Sequence, residues 1–588
     1  MLPVRDVRAR VRRSMLPARL PWVRTQVGWA DLVVAAAVLV VFYVVIRAGA
    51  GAAVSFTPNR PLHIDTDPAR LPYYAVRSLL RMFAALAASL LFTLVYGYAA
   101  ARSRRLEKVL IPALDILQSV PILGFLTVAV SALVGLFPHS LLGLELAAVF
   151  AIFTSQAWNM TFSFYHSLIT LPRELDELSR NLRLTRWLRL WRIEVPHAAI
   201  GLVWNGMMSF GGGWFFLVAS EAITVANHEY TLPGVGAYAG AAIAAGDLTG
   251  IGYAIAAMTV MVVGVNFVFW RPLTAWAEKF KQEQSEAVDV PRSAVLNLLR
   301  RSHWPQLIAP AKRAVAEVLG RAGRIFGTDD RPLVTRPGRR RAGDVAFTVT
   351  VVGLVGWGVV EVVRYLRGSG EGLAVFAEPL LLGLVTLARV VVLMVAATLV
   401  WVPVGVRIGS SPRLARIAQP VVQVLASFPA NFLFPLVTWV LVRTGSSLDV
   451  GGIVLMALGA QWYILFNTIA GAQAIPTDLR EAMADLGVRG WQRWRRLIIP
   501  GIFPYYVTGG ITASGGAWNA SIVAEIVTFG GTTLTAHGLG AYIAEATTAG
   551  DHPKTLAGIA VMSLYVVGLN RLIWRRLYAV AEARYALA

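Results

Sequence analysis

The chain has no cysteine, which excludes disulfides and thiolate-held metals. Histidine is scarce too: the eight at 63, 139, 166, 197, 228, 303, 537 and 552 form no ligand-spaced cluster, which argues against a structural metal. Charge is thin. Only 15% of the 588 residues are charged, 56% are hydrophobic, and the mean hydropathy is +0.60. A soluble chain of this length needs far more charge to cover its surface, so a polytopic membrane protein is expected. Gly-x-x-x-x-Gly-Lys-Ser/Thr is missing as well, so the chain cannot cradle ATP phosphates in the P-loop manner.

What charge there is leans basic, with a net of +21. Its distribution speaks against nucleic-acid binding, because the arginines sit in loops between apolar runs, as cytoplasmic membrane loops require. A hydrocarbon core about 30 Å thick needs roughly 20 apolar residues per helix. Windows of that kind lie near 30–48, 76–101, 114–137, 141–165, 197–224 and 249–275, then near 344–366, 378–406, 419–443, 449–474, 501–528 and 555–579. The expected fold is therefore all-α, with about twelve spans in two parallel, pseudo-symmetric halves.

Arginine runs before the first window, after the second (Arg102, Arg104, Arg105) and after the fourth (Arg173 to Arg192) orient it, whereas 222–248 has no Lys or Arg. The positive-inside rule then places both termini and the central linker in the cytoplasm. Five segments are expected: a basic N-terminus 1–28, a first unit 29–276, a linker 277–343, a second unit 344–580 and a tail 581–588. The basic start, apolar run and Ala48-Gly49-Ala50 also fit a cleaved signal peptide. A retained helix is favoured, because the run is as long as a span. Within the linker, 309–326 reads either as an amphipathic helix on the anionic leaflet or as part of a solvated tether.

The two halves repeat each other. At an offset of 304, Glu177 meets Glu481, Trp187 meets Trp491, Pro196 meets Pro500, Trp214 meets Trp518 and Glu221 meets Glu525. Upstream the offset is 308, where Arg81 meets Arg389, Ser119 meets Ser427 and Pro121 meets Pro429. The most telling repeated phrase is polar and Trp-bearing, from Leu171 to Pro196 and from Ile475 to Pro500. Pro172 and Pro476 can open a short helix, Glu177 and Glu481 are placed near its N-terminal end, and Pro196 and Pro500 are expected to break the pattern before the next span. A short helix with one apolar face suits either a groove on a soluble partner or the lipid interface.

The second copy, Glu481-Ala482-Met483 with Gly487 and Ile499-Pro500, resembles the EAA loop of ATP-binding-cassette importer permeases. The first copy, Glu177-Leu178-Ser179 with Leu182, matches more loosely and has Arg183 where Gly is usual. Flanking phrases around Arg81, Arg389, Trp214 and Trp518 resemble the nitrate/sulfonate/taurine/bicarbonate branch, over about 75–275 and 378–580.

The resemblance implies two fused permease units in a bacterial inner membrane and a transport component rather than an enzyme. It implies two separate ATPase subunits that carry ATP and Mg, an extracytoplasmic solute-binding protein, and a small anion or sulfonate as cargo. It makes Glu177, Leu182, Trp187, Pro196, Glu481, Ala482, Gly487, Trp491 and Pro500 the ATPase-coupling residues. Candidate pathway residues are Arg81, Gln118, Ser119, Trp214, Glu221, Arg389, Ser427, Trp518, Asn519 and Glu525. Arg81 and Arg389 either attract an anion or pair with Glu221 and Glu525, because an unpaired charge within a span is expensive. The rival reading, a twelve-helix transporter driven by an ion gradient, fits the span count but leaves the repeated loops without a purpose.

Overall fold

The computed structural model describes residues 28–50, 63–119, 122–137, 140–182, 184–225, 228–280, 293–303, 337–368, 370, 372–529 and 532–585. The N-terminal arginines and the 309–326 segment lie outside these. The first half consists of α1 (Trp29–Ala50), α2 (Leu71–Arg102), α3 (Arg104–Ser119), α4 (Ile122–Leu136), α5 (Leu142–Ile169), α6 (Arg173–Asn181) and α7 (Val195–Glu221). A hairpin of β1 (Ala222–Val225) and β2 (His228–Thr231) follows, then α8 (Val235–Ala244) and α9 (Leu248–Val265). A linker helix α10 (Ala294–Arg301) docks on α1, where Asp31 accepts the His303 backbone N–H at 2.6 Å.

The second half repeats the order. It runs α11 (Pro337–Gly368), α12 (Ala377–Gly409), α13 (Pro412–Ser427), α14 (Phe434–Thr444), α15 (Leu448–Ala474), α16 (Thr477–Asp485) and α17 (Ile499–Ala524). The hairpin β3 (Ile526–Phe529) and β4 (Thr532–Thr535), α18 (Leu539–Ala549) and α19 (His552–Leu569) complete it. Each half packs α2 on α5 and α5 on α7, or α12 on α15 and α15 on α17. Both hairpins are antiparallel, with Ala222 opposite Thr231 and Ile526 opposite Thr535.

By length and composition, seven helices among the described residues are able to cross a membrane. The third window of each half is not one span but two helices. Phe428 and Pro429 are extended (ψ 128° and 112°), because the proline ring excludes helical backbone before it and deprives the next turn of a donor. In the first half α3 likewise ends at Ser119 and α4 resumes at Ile122. The break has a purpose in packing. It sends α4 across to α17, α18 and α19 of the other half, while α13 packs on α7 and α9. Each core is consequently shared: Leu126, Val130 and Leu144 join Trp518 and Leu455, while Phe432 joins Trp214, Phe210 and Tyr238. The fifth windows also overshoot, since α7 and α17 stop at Glu221 and Ala524 and the chain turns into the hairpins.

Candidate functional site

Three structures recur or meet at the two-fold relation. The first is the repeated loop. α6 and α16 each lead through one short turn, Arg186–Arg189 or Gly490–Arg493, into a π turn, Leu190–Glu194 or Trp494–Ile498. The π turn then runs unbroken into α7 or α17, so Pro196 and Pro500 do not interrupt the helix as the sequence led us to expect. The reason is hydrogen bonding: Val195 and Ile499 donate five residues back, to Leu190 and Trp494, so the ladder has already been rephased when the proline withholds its donor. Glu177 and Glu481 also sit mid-helix rather than at the N-terminal end; Glu174, Asp176 and Asp478 occupy the first turns. Both glutamates are exposed.

The loops end alike. Val488 N–H donates to Met483 O at 3.0 Å and Gly487 N–H to Ala484 O at 3.0 Å, the bond pair of a Schellman cap, with Gly487 at φ +66°. In the first copy Leu184 N–H makes the equivalent bond to Ser179 O at 3.1 Å. Large apolar side chains face outward: Leu182 is 60% exposed, Leu486 76% and Trp491 71%. Trp187 is half-buried and packs edge-on against Trp191 at 5.5 Å.

The second structure is a carboxylate clasp at the other end of each bundle. Glu221, closing α7, accepts from Arg81 (2.7 Å), Ser78 (2.5 Å) and Gly236 N–H (2.7 Å). Glu525 accepts from Arg389 (2.8 Å), Thr386 (2.8 Å) and Gly540 N–H (2.7 Å). Both glutamates are 0% exposed. Each arginine reaches a second acid as well, Arg81 to Glu145 at 2.6 Å and Arg389 to Asp449 at 2.5 Å, and Arg77 also bonds Glu145. The carboxylate lies so close to the turn that a Cβ on Gly234 or Gly538 would overlap it. The clasp therefore fastens the start of α8 or α18 to its bundle, and removing one partner of such a buried pair typically costs about 3–5 kcal/mol.

The third is a small cavity between the halves, about 30 Å³, room for a water or two. α7 contributes Met207, Met208 and Gly211; α13 contributes Gln423 and Ser427; α15 contributes Trp462, Tyr463 and Phe466. None of its lining residues is charged. Two glycines make the approach possible, because the places their Cβ atoms would take are filled from the other half: Gly211 faces Ser427 Oγ at 2.8 Å and Gly212 the Tyr463 hydroxyl at 3.2 Å, while the next, Gly213, faces Gln156 Nε2 of its own half at 2.8 Å. Gln423 also crosses between halves, donating to Met207 Sδ at 2.7 Å and Asn266 Oδ1 at 3.2 Å.

Residues 80–271 and again 401–585 match the family described as binding-protein-dependent transport system inner membrane component. The chain belongs to this family. It carries the permease unit twice, fused in one polypeptide, and is an all-α, membrane-spanning transport component. It is 29% identical over 215 residues to the nitrate import permease protein of Synechocystis, covering 37% of this chain and 70% of that one. The taurine transport system permease protein of Escherichia coli is 27% identical over 196 residues, 33% of this chain and 67% of its own. The bicarbonate transport system permease protein of Synechocystis is 29% identical over 134 residues, 23% of this chain and 46% of its own.

Within the permease units the expected pathway residues separate. The larger cavity takes Ser427, and an adjoining void of about 10 Å³ takes Trp214 as well. Arg81, Glu221, Arg389 and Glu525 are consumed in the clasps and line neither. Trp518 is 1% exposed and stacks on Tyr565 at 5.8 Å, a core position rather than a wall. Asn519 is half-buried and bonds its own helix at Gly515 O. Gln118 is exposed and reaches Asn159 at 3.4 Å, and Ser119 ends α3. Sequence reasoning missed Ser78, Thr386, Glu145 and Asp449. Their signal was available: the hydroxyls are 308 apart, like the two arginines, and the acids 304, like the two glutamates.

Proposed function

We propose that the chain forms the translocation pathway of an ATP-driven importer and takes its motion from two separate ATPase subunits through α6 and α16. The observation that carries this reading is the pair of short, exposed, Leu-bearing helices, each followed by a Trp-bearing turn that runs unbroken through a π turn into a long span. A push on α6 or α16 passes through the connecting turn into the rod formed by the π turn and α7 or α17, and the glycine-bearing face of α7 meets the other half at the cavity. ATP binding draws the ATPases together, moves both rods and opens the clasped end; hydrolysis resets them. The loops and both termini are cytoplasmic, in a bacterial inner membrane, and an extracytoplasmic solute-binding protein delivers cargo at the clasped face.

The cargo is a small anion or sulfonate. Nitrate, taurine and bicarbonate in the names of the relatives support that class, and the uncharged donors Gln423, Ser427 and Tyr463 suit a weakly held oxyanion that must also leave. The test is transport-linked ATP hydrolysis by the reconstituted complex of permease, ATPase and binding protein. Glu481→Lys is expected to uncouple more severely than Glu177→Lys, whose loop lacks the glycine cap. Equal activity of the two variants counts against the ranking. Full transport down an ion gradient without any ATPase refutes the reading.

A further inference from the structure

The two loops carry the same excess of two positive charges, six arginines against four carboxylates over 173–194 and five against three over 477–498, yet arrange them differently. In the first loop Arg189 is satisfied internally. It meets Asp176 at 2.7 Å and Glu194 at 2.8 Å, and Glu194, buried, also pairs with Arg102 at the end of α2. The loop is thus stapled both to itself and to the bundle.

At the offset of 304 the second loop keeps the arginine, as Arg493, but replaces both acids: Asp176 becomes Arg480 and Glu194 becomes Ile498. The equivalent of Arg102, on the upstream offset of 308, is Ser410. An ion pair has become a pair of like charges. Arg480 finds only a backbone carbonyl, Ala472 O, and Arg493 is exposed; among the described residues neither has a carboxylate within ion-pair distance. Burial, and then the charge of Arg493, push the Arg480 guanidinium below its usual value. Two like charges at a position designed for a pair are unfavourable until an anion arrives.

We infer that the second loop takes its missing carboxylate from its ATPase subunit, which inserts an Asp or Glu between Arg480 and Arg493, so that the two ATPase contacts of this fused permease are chemically different. Arginine forks and carboxylates match in geometry and charge, and such a pair fixes register across an interface more than it adds bulk affinity. At the first loop the same ATPase carboxylate would face Asp176, so that contact must rest on Leu178, Leu182 and the exposed Trp191 instead. The inference depends on the coupling reading above.

The test uses the full complex with its ATPase and binding protein. Arg493→Gln removes the charge at an exposed position, Arg480→Asp rebuilds the internal pair of the first loop, and Arg495→Gln, on the same loop, is the control. The first two are expected to lower transport-linked ATP hydrolysis about tenfold, equivalent to about 1.4 kcal/mol of contact. Raising salt is expected to release one ATPase subunit per wild-type complex before the other, and Arg480→Asp is expected to be rescued by a carboxylate-to-arginine change on the ATPase. Wild-type hydrolysis in both variants overturns the inference. So does a defect seen only in vesicles containing phosphatidylglycerol and absent in phosphatidylcholine, which would make a headgroup phosphate the occupant. If Glu481→Lys is silent too, the coupling reading itself fails; if Glu481→Lys uncouples while Arg493→Gln does not, only this inference fails.

Discussion

Replacing Arg389 by Met exposes what the clasp is worth. The guanidinium sits 2.8 Å from Glu525 and 2.5 Å from Asp449, with its own side chain 6% exposed and that of Glu525 0%. After the substitution Asp449, 43% exposed, rehydrates at little cost. Glu525 cannot. It keeps the Thr386 hydroxyl and the N–H groups of Gly540 and Ala541 but has no counter-charge. An orphaned buried charge of this kind costs about 3–5 kcal/mol. For a unit of roughly 200 residues, melting falls by roughly 2–4 °C per kcal/mol, so the detergent-solubilised protein should melt about 6–20 °C lower. Adding Glu525→Gln removes the orphan charge while leaving an acceptor for the backbone, so the double variant should recover most of the loss. The coupling between the two positions should then be about 2–3 kcal/mol. A single variant that melts like wild type, or a double variant no better than the single, refutes the clasp as an electrostatic fastening.

The glycines give sharper contrasts. Gly540→Ala should disrupt the second half because its Cβ would run into the backbone of Ser521, whereas Gly515→Ala, facing open space on α17, should be neutral or stabilising by about 0.5–1 kcal/mol; limited proteolysis of the two variants distinguishes them. Gly487→Val places a β-branched residue at φ +66° and should loosen the second loop, read as faster amide exchange at Val488 with the spans unaffected.

The architecture was legible where chemistry repeats. A charge inside an apolar run must find a partner, so the pairing of Arg81 with Glu221 and of Arg389 with Glu525 could be weighed from the sequence before any fold was known. Glu145 and Asp449 escaped because they stand at the rim of apolar windows, where an acid looks like an ordinary helix start. The windows also misled at proline. Hydropathy reports composition and not direction, so Pro429 inside an apolar run hid the crossing of α13 to α14. Pro500 hid the opposite outcome, because a π turn rephases the ladder and lets the helix pass. Both prolines obey the same steric rule, and what differs is the hydrogen bonding of the residues before them. The cavity was least legible, since Gly211 and Gly212 meet Ser427 and Tyr463 only when the halves come together.

That meeting of glycines with two hydroxyl-bearing side chains has a consequence for how such a molecule evolves. In a dimer of identical subunits every socket is matched by a copy of itself, and one mutation strikes twice, on both sides of the axis. Here α7 supplies the sockets and the second half supplies the knobs, while at the corresponding place on α17 Gly515 meets nothing. Fusion has freed the seam from mirror duty, so each side can be altered singly.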